Sequence, residues 1–313
     1  MEAPEPKPYN LPTDAVWFIT GCSSGIGQSL VQHLIQEYPS QRVVATARNA
    51  ASLRAPAIPD TPHVLKLALD VTSTASIDAA FAAALARFRR VDVVVNNAGY
   101  SLMGDAEASP AGNAGARALF DTNFWGVVDV TKRALAVLRD VNGASGGQRG
   151  GVVVNVSSMG GVLASPGSAY YHASKFALEG FAASVAKELL PAWGIHVVNV
   201  EPGGVRTNYA TTSLQTMETR HPAYAGGATG AMLDFMADTA RHAAFAPADS
   251  VARGICEVVG SGRRIPIRVA LGTDAYGLIS QEVDKMKANL EAWREVSCAM
   301  GDPELAHVTK LVG

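Results

Sequence analysis

Tyr171 and Lys175 stand four residues apart in the stretch Tyr170-Tyr171-His172-Ala173-Ser174-Lys175. On a helix each residue turns about 100°, so Lys175 lies about 40° round from Tyr171 but about 140° from Tyr170. A free tyrosine titrates near ~10 and needs a neighbouring cation to exchange protons near neutral pH. Tyr171 with Lys175 is therefore a candidate general acid/base for an oxygen atom, and Tyr170 is its packing neighbour. His172 falls on a different helical face and takes no part in this chemistry. Two further hydroxyls, Ser157 and Ser158, close the apolar run that ends at Val156.

A second chemical signal lies near the start. Thr20-Gly21-Cys22-Ser23-Ser24-Gly25-Ile26-Gly27 follows a β-branched run and opens into a helical pattern. Glycines 21, 25 and 27 let the chain turn tightly, let its backbone approach a pyrophosphate and let helix and strand pack together. The helix N-terminus then offers free N–H groups and a partial positive charge to an anion. A glycine cluster alone is a weak signal; the strand before it and the helix after it supply the context it needs.

Seven short apolar runs must carry these groups: Val16 to Thr20, Arg42 to Ala47, Val64 to Leu69, Val91 to Val95, Gly151 to Val156, His196 to Val200 and Ile267 to Leu271. They lack in/out alternation, as expected of parallel strands covered on both faces. Between them lie amphipathic segments, Ile26 to Tyr38, Thr74 to Phe88, Ala114 to Leu138 and Ser174 to Leu190. This alternation predicts an α/β fold, a Rossmann-like doubly wound parallel sheet of about seven strands flanked by helices. Residues 1–13 read as an extension, and 14–313 as a single domain with a C-terminal extension over about 275–313. Residues 211–247, with no clear strand, read as a substrate lid after the sixth strand. Met217, Tyr224, Met232, Phe235 and Met236 there could line an apolar pocket, although ordinary packing explains any one of them.

The spacing G-x-x-x-G-x-G differs from the G-x-G-x-x-G of ordinary Rossmann dehydrogenases and resembles the short-chain dehydrogenase/reductase family. Further motifs follow in that family's order: Asp70-Val71, Asn96-Asn97-Ala98-Gly99, Asn123, Asn155-Val156-Ser157-Ser158, Tyr171 with Lys175, and Pro202-Gly203-Gly204-Val205-Arg206-Thr207. The resemblance is strong over roughly residues 14 to 210 and fainter over Asp249 to Ala252 and Gly272 to Asp274. Ser174-Lys175-Phe176-Ala177-Leu178-Glu179-Gly180, with the glycine turn, looks most like the branch holding 17-beta-hydroxysteroid and retinol dehydrogenases.

The resemblance implies transfer of a hydride between a nicotinamide and a carbonyl or alcohol, with Tyr171 moving the proton. In the family the serine precedes this tyrosine by thirteen positions, which selects Ser158 as the group that steadies the developing alkoxide. Asn123 corresponds to the asparagine that helps hold a water between lysine and solvent. Asn97, Ala98 and Gly99 are expected along the cofactor, and Pro202, Gly203, Val205 and Thr207 over the nicotinamide. Asp70 would accept from the adenine amino group; otherwise it shares a helix N-cap role with Thr72.

NAD-specific sites place a carboxylate at the end of the second strand. Here the chain reads Ala45-Thr46-Ala47-Arg48 with no acid, and Arg48 is placed to pair with a 2′-phosphate, helped by Ser23 and Ser24. NADPH is therefore the expected cofactor.

Apolar residues form 48% of the 313 and charged residues 17%, enough for a sizeable core, and the formal net charge of −2 gives no electrostatic case for nucleic acid or an anionic membrane. Cys22, Cys256 and Cys298 form no C-x-x-C or Cys/His cluster, and the seven histidines show no metal spacing. No apolar run reaches the ~18 residues that span a bilayer, and the proline-rich start resembles no targeting peptide. A cytoplasmic, metal-free enzyme for a small molecule is expected, on a steroid, retinoid or secondary-metabolite ketone as the branch suggests. Relatives pair through the helices matching Ala114 to Leu138 and Ser174 to Leu190, which implies a homodimer or homotetramer. The rival readings are a non-redox isomerase, cyclase or dehydratase, or a non-enzymatic NADPH-binding regulator; both fit poorly with a full set of Ser158, Tyr171 and Lys175.

Overall fold

The computed structural model describes residues 8–144, 149–207, 214–217, 219–238 and 240–299. In chain order the elements are β1 (Val16–Ile19), α1 (Gly25–Glu37), β2 (Arg42–Ala47), β3 (Val64–Ala68), α2 (Thr74–Phe88), β4 (Val93–Asn96) and β5 (Ser101–Met103). Next come α3 (Ala114–Phe120), α4 (Gly126–Ala136), α5 (Asn142–Ala144), β6 (Gly151–Val156), α6 (Ala169–Glu188), β7 (Ile195–Pro202), β8 (Val205–Arg206) and β9 (Leu214–Thr216). Last are α7 (Ala228–Ala237), β10 (Ala246–Pro247), α8 (Ala248–Gly260), β11 (Arg268–Leu271), α9 (Thr273–Ala292) and α10 (Arg294–Cys298).

The seven runs form one parallel sheet in the order β11-β7-β6-β4-β1-β2-β3. Apolar side chains cover both faces, and the inner strands feed two cores. Trp17 and Ile19 of β1 pack with Leu30 and Leu34 of α1 and with Ile255 of α8, while Val16 and Phe18 pack with Phe81 of α2 and Val130 of α4. Residues of both parities are therefore largely apolar along the inner strands, which is why these runs show no alternation. Chain order reverses at β1, between β4 and β2, so a crevice opens beyond the carboxyl ends of β1 and β4.

One register row is polar. Asn96, Asn155 and Asn199 stand level on β4, β6 and β7, with Arg268 of β11 next in line. Asn96 donates to Thr131 (3.1 Å) and Asn155 (2.9 Å), and Asn155 donates to Asn199 (2.9 Å). Asn199 donates to Glu179 of α6 at 2.6 Å, and Arg268 donates to the same carboxylate oxygen at 2.9 Å. The row joins four strands to α4 and α6 directly beneath the carboxyl edge, and its buried amides are satisfied as burial requires.

Several boundaries differ from expectation. The helix carrying Tyr171 starts at Ala169 rather than Ser174, placing Tyr171 in its first turn. The helix expected over Ala114 to Leu138 runs on to Ala144 through two wide turns, Asp121–Trp125 and Val137–Val141, each holding one extra residue that helical periodicity does not mark. Residues 211–247 do contain a strand: β9 pairs in parallel with β5, Ser101 opposite Leu214. Three-residue strands are too short to show periodicity. Residues 211–213, 218 and 239 of that segment, and 1–7 and 300–313 at the ends, lie outside the described residues. Among the described residues no helix is long and apolar enough to cross a membrane.

Candidate active site

The parallel sheet brings the sequence-marked groups to one edge. The glycine turn follows β1, Arg48 follows β2, Asp70 follows β3, Asn97 to Gly99 follow β4, Ser158 follows β6, and Gly203 to Thr207 follow β7. Thr20 ties the first of these to the fourth. Its hydroxyl oxygen accepts from the amides of Asn97 and Ala98, both at 3.0 Å, and the Asn97 side chain donates to the carbonyls of Thr20 (2.8 Å) and Gly21 (3.0 Å).

That closeness demands glycine. Gly21 has φ +72°, and a Cβ on it would come 2.8 Å from Ala98 Cα; one on Gly27 would come 2.6 Å from the Gly21 carbonyl oxygen. Ser24, the N-cap of α1, makes no side-chain cap bond, and Ile26 packs partly buried against the core. The turn therefore presents the N-terminus of α1 with its first amides uncapped by Ser24, which suits a dinucleotide pyrophosphate. Cys22, within the turn, is buried, and burial pushes its thiol up to about 12.

Arg48 is exposed at the end of β2. Asp70 accepts from the amide (2.9 Å) and hydroxyl (2.7 Å) of Thr72; these bonds, with a smaller contribution from Arg48, hold its carboxyl below the ordinary range. The shared N-cap role is corrected: α2 is capped by Ser73, whose hydroxyl accepts from the Ser76 amide at 3.3 Å, because Asp70 and Thr72 bond each other before the helix begins. Val71 packs under Gly126 at the start of α4.

Ser158, Tyr171 and Lys175 converge. The Ser158 hydroxyl accepts from the Gly160 amide at 3.0 Å and lies beside the Tyr171 phenol. Burial raises the Tyr171 phenol above its ordinary value, and the neighbouring Ser158 hydroxyl opposes that. Lys175 is buried, with its Nζ 5.8 Å from the Tyr171 ring centre, and it donates to the Val156 carbonyl at 2.8 Å. Burial pulls its ammonium down to about 8, opposed by the negative charge of Glu179 one turn further along α6. Ser157 by contrast is buried with its hydroxyl unpartnered.

Asn123 sits in the wide turn Asp121–Trp125 and is buried. It accepts from the Tyr100 amide (3.0 Å) and donates to the Tyr100 carbonyl (2.8 Å) and to Ser174 Oγ (3.3 Å), so its described bonds reach the neighbour of Lys175 and not the lysine itself.

The turn after β7 is held from both sides. Val205 and Arg206 pair with Ala246 and Pro247, and the Gly204 amide donates to Asp274 at the start of α9, 2.7 Å away. Thr207 lies over Gly25. Two supporting residues were not found by sequence reasoning. Asp274 falls in the fainter part of the resemblance, and His172 lies off the helical face shared by Tyr171 and Lys175. His172 is buried with Nδ1 2.9 Å from the Gly160 carbonyl and Nε2 3.1 Å from the Ser165 amide. Those partners require a neutral ring protonated at Nδ1, consistent with burial lowering its proton affinity, and the ring thereby steadies the turn that follows Ser158. Among the described residues no three His, Cys, Asp or Glu side chains gather in a way that could hold a metal ion.

Comparison with known proteins agrees with this fold. Residues 15–218 match the family model described as short chain dehydrogenase. The chain is 42% identical over 297 residues to the oxidoreductase calM of Penicillium decumbens, covering 93% of this chain and 94% of that one. Its fold matches a short-chain dehydrogenase from Streptomyces avermitilis with a TM-score of 0.78 at 33% identity, covering 92% of this chain and 100% of the other. It also matches a 3-ketoacyl-(acyl-carrier-protein) reductase from Brucella melitensis, complexed with NADH, with a TM-score of 0.66 at 25% identity over 83% and 97% of the two chains. With the sheet, the glycine turn and the Ser158, Tyr171 and Lys175 cluster in one place, the chain belongs to the short-chain dehydrogenase family and is an oxidoreductase.

Proposed function

We propose that this chain is an NADP(H)-dependent oxidoreductase that interconverts a carbonyl and an alcohol on a bulky apolar small molecule, such as a steroid, retinoid or secondary-metabolite ketone. The observation that carries the reading is the contact of Ser158 with Tyr171 over the buried ammonium of Lys175. The nicotinamide, when bound, supplies or accepts the hydride. Tyr171 then gives its phenolic proton to the substrate oxygen in reduction, or takes it back in oxidation. Lys175, next to the ring, favours the phenolate that this leaves. Ser158 donates to the substrate oxygen as negative charge grows on it. Asn123 holds Tyr100 and Ser174 in place beside this group.

The cofactor would lie along Gly21, Ser23, Ser24, Gly25, Ile26 and Gly27, with Asp70 and Val71 at the adenine end and Asn97, Ala98 and Gly99 beneath it. Pro202, Gly203, Val205 and Thr207 would close over the nicotinamide. The Brucella reductase was crystallised with NADH; the exposed Arg48, at a strand end without a carboxylate, argues for the 2′-phosphate here. An apolar substrate is supported by Leu102, Tyr100, Phe120, Tyr170 and Met217, which pack together next to the site. The test is a panel of ketones and alcohols followed at 340 nm with NADPH and NADH, with Tyr171→Phe as control. Turnover of apolar ketones that the control abolishes supports the reading, and equal turnover by both proteins removes it.

A further inference from the structure

Helix α9 is 20 residues long and buries only Ala275. Tyr276, Val283, Met286, Leu290 and Trp293 are exposed, Tyr276 and Leu290 each at 71%. With the half-buried Ile279 they fall three and four residues apart in alternation, 276, 279, 283, 286, 290, 293. Alternating steps of three and four residues match the heptad seam of a two-stranded coiled coil. An amphipathic helix this exposed gains little stability by itself, so the stripe calls for a partner.

The flanking charges indicate which. In a parallel pair the residue before one seam position faces the residue five further on in the other strand. Glu282, which pairs within the helix with Lys285 at 3.5 Å, would then face Lys287 of the second copy, twice by symmetry. An antiparallel pair would instead set Lys287 against positions of its own heptad type and separate it from Glu282. We infer that α9 pairs in parallel with α9 of a second copy of this chain, through the stripe from Tyr276 to Trp293. The stripe begins two residues after Asp274, so the seam adjoins the helix end that holds the Gly204 turn. This surface is separate from α4 and α6 and does not depend on the substrate or cofactor assignment.

The test uses the full chain at low micromolar concentration, with mass from light scattering and folding checked by circular dichroism. Wild type is expected to show an assembly whose mass is halved in the Val283→Glu/Leu290→Glu double variant. Glu282→Lys alone and Lys287→Glu alone each set like charges across the seam and should weaken association about tenfold. Glu282→Lys combined with Lys287→Glu rebuilds the pairs in reversed sense and should restore it, which pairing with any other segment would not do. A monomeric wild type, a mass unmoved by the double glutamate variant, or failure of the combined reversal to restore association would each overturn the inference.

Discussion

The Gly204 amide donates to a carboxylate oxygen of Asp274 at 2.7 Å, joining the turn after β7 to the start of α9 across 70 residues. A Cβ on the adjoining Gly203 would come 2.2 Å from both oxygens of that carboxylate, so the two segments meet backbone to side chain with no room between them.

Asp274→Ala removes this contact and leaves the turn held by the pairing of β8 with β10. A charge-assisted bond at this exposed position is worth about 1 kcal/mol, so NADPH affinity should fall several-fold while the melting temperature moves little. Gly203→Ala should do more, since the carboxylate must be displaced. Fluorescence titration of NADPH measures both, and unchanged affinity would mean that the turn holds its shape without Asp274.

Tyr171→Phe should lower turnover by about 10² to 10⁴ fold with NADPH binding retained, because only the proton path is removed. Lys175→Met should lower both turnover and cofactor affinity. It removes the charge beside Tyr171 and the donor to Val156, which ends the strand leading to Ser158. Single-turnover rates and binding titrations separate the two effects.

Reduction should decline as pH rises through about 8 in the free enzyme, where burial sets the Lys175 ammonium. Glu179 opposes that lowering, so Glu179→Gln removes the opposing charge and moves the alkaline limb to lower pH. Profiles of kcat/KM from pH 6 to 10 test the sign; a limb that stays in place would separate Glu179 from Lys175.

Glu201 is 2% exposed, and its carboxyl is raised to about 7 by burial first, then by Glu179, against the pull of Arg268. A raised folded value means that the folded state binds the proton more tightly than the unfolded chain. Its contribution is complete below the ordinary value of 4.5 and is lost as pH rises through about 7. Glu201→Gln should therefore gain stability over wild type above pH 7, by at most about 3 kcal/mol, and little at pH 4.5. Thermal melts at both pH values decide it, and an equal gain at both would point to packing instead.

Arg48→Asp should cost roughly 1.5 to 3 kcal/mol of NADPH binding, one to two decades, and supply an acceptor for the ribose of NADH. The ratio of kcat/KM for the two cofactors, at fixed ionic strength, reads this directly. A wild type that prefers NADH, or a ratio unmoved by the substitution, would make Arg48 a solvated loop residue.

What the sequence determined by itself was local or repetitive. Apolar runs long enough to be read marked the seven strands; the bounds of β2, α2 and β6 agree with the periodic pattern. Glycine spacing marked the turn after β1, and helical phase separated Tyr171 from Tyr170, because both depend on neighbours within one turn of chain. The tertiary structure alone decided which distant groups meet. The wide turn at Asp121–Trp125 directs Asn123 to Tyr100, three-residue strands join Ser101 to Leu214, and β7 with β11 brings Glu201 to the Arg268 that also holds Glu179. None of these leaves a period in the sequence. Each is a contact between segments whose approach is set by sheet order and by burial of two apolar faces, and a single aspartate or glutamate in the chain does not say which carbonyl, amide or cation it will find there.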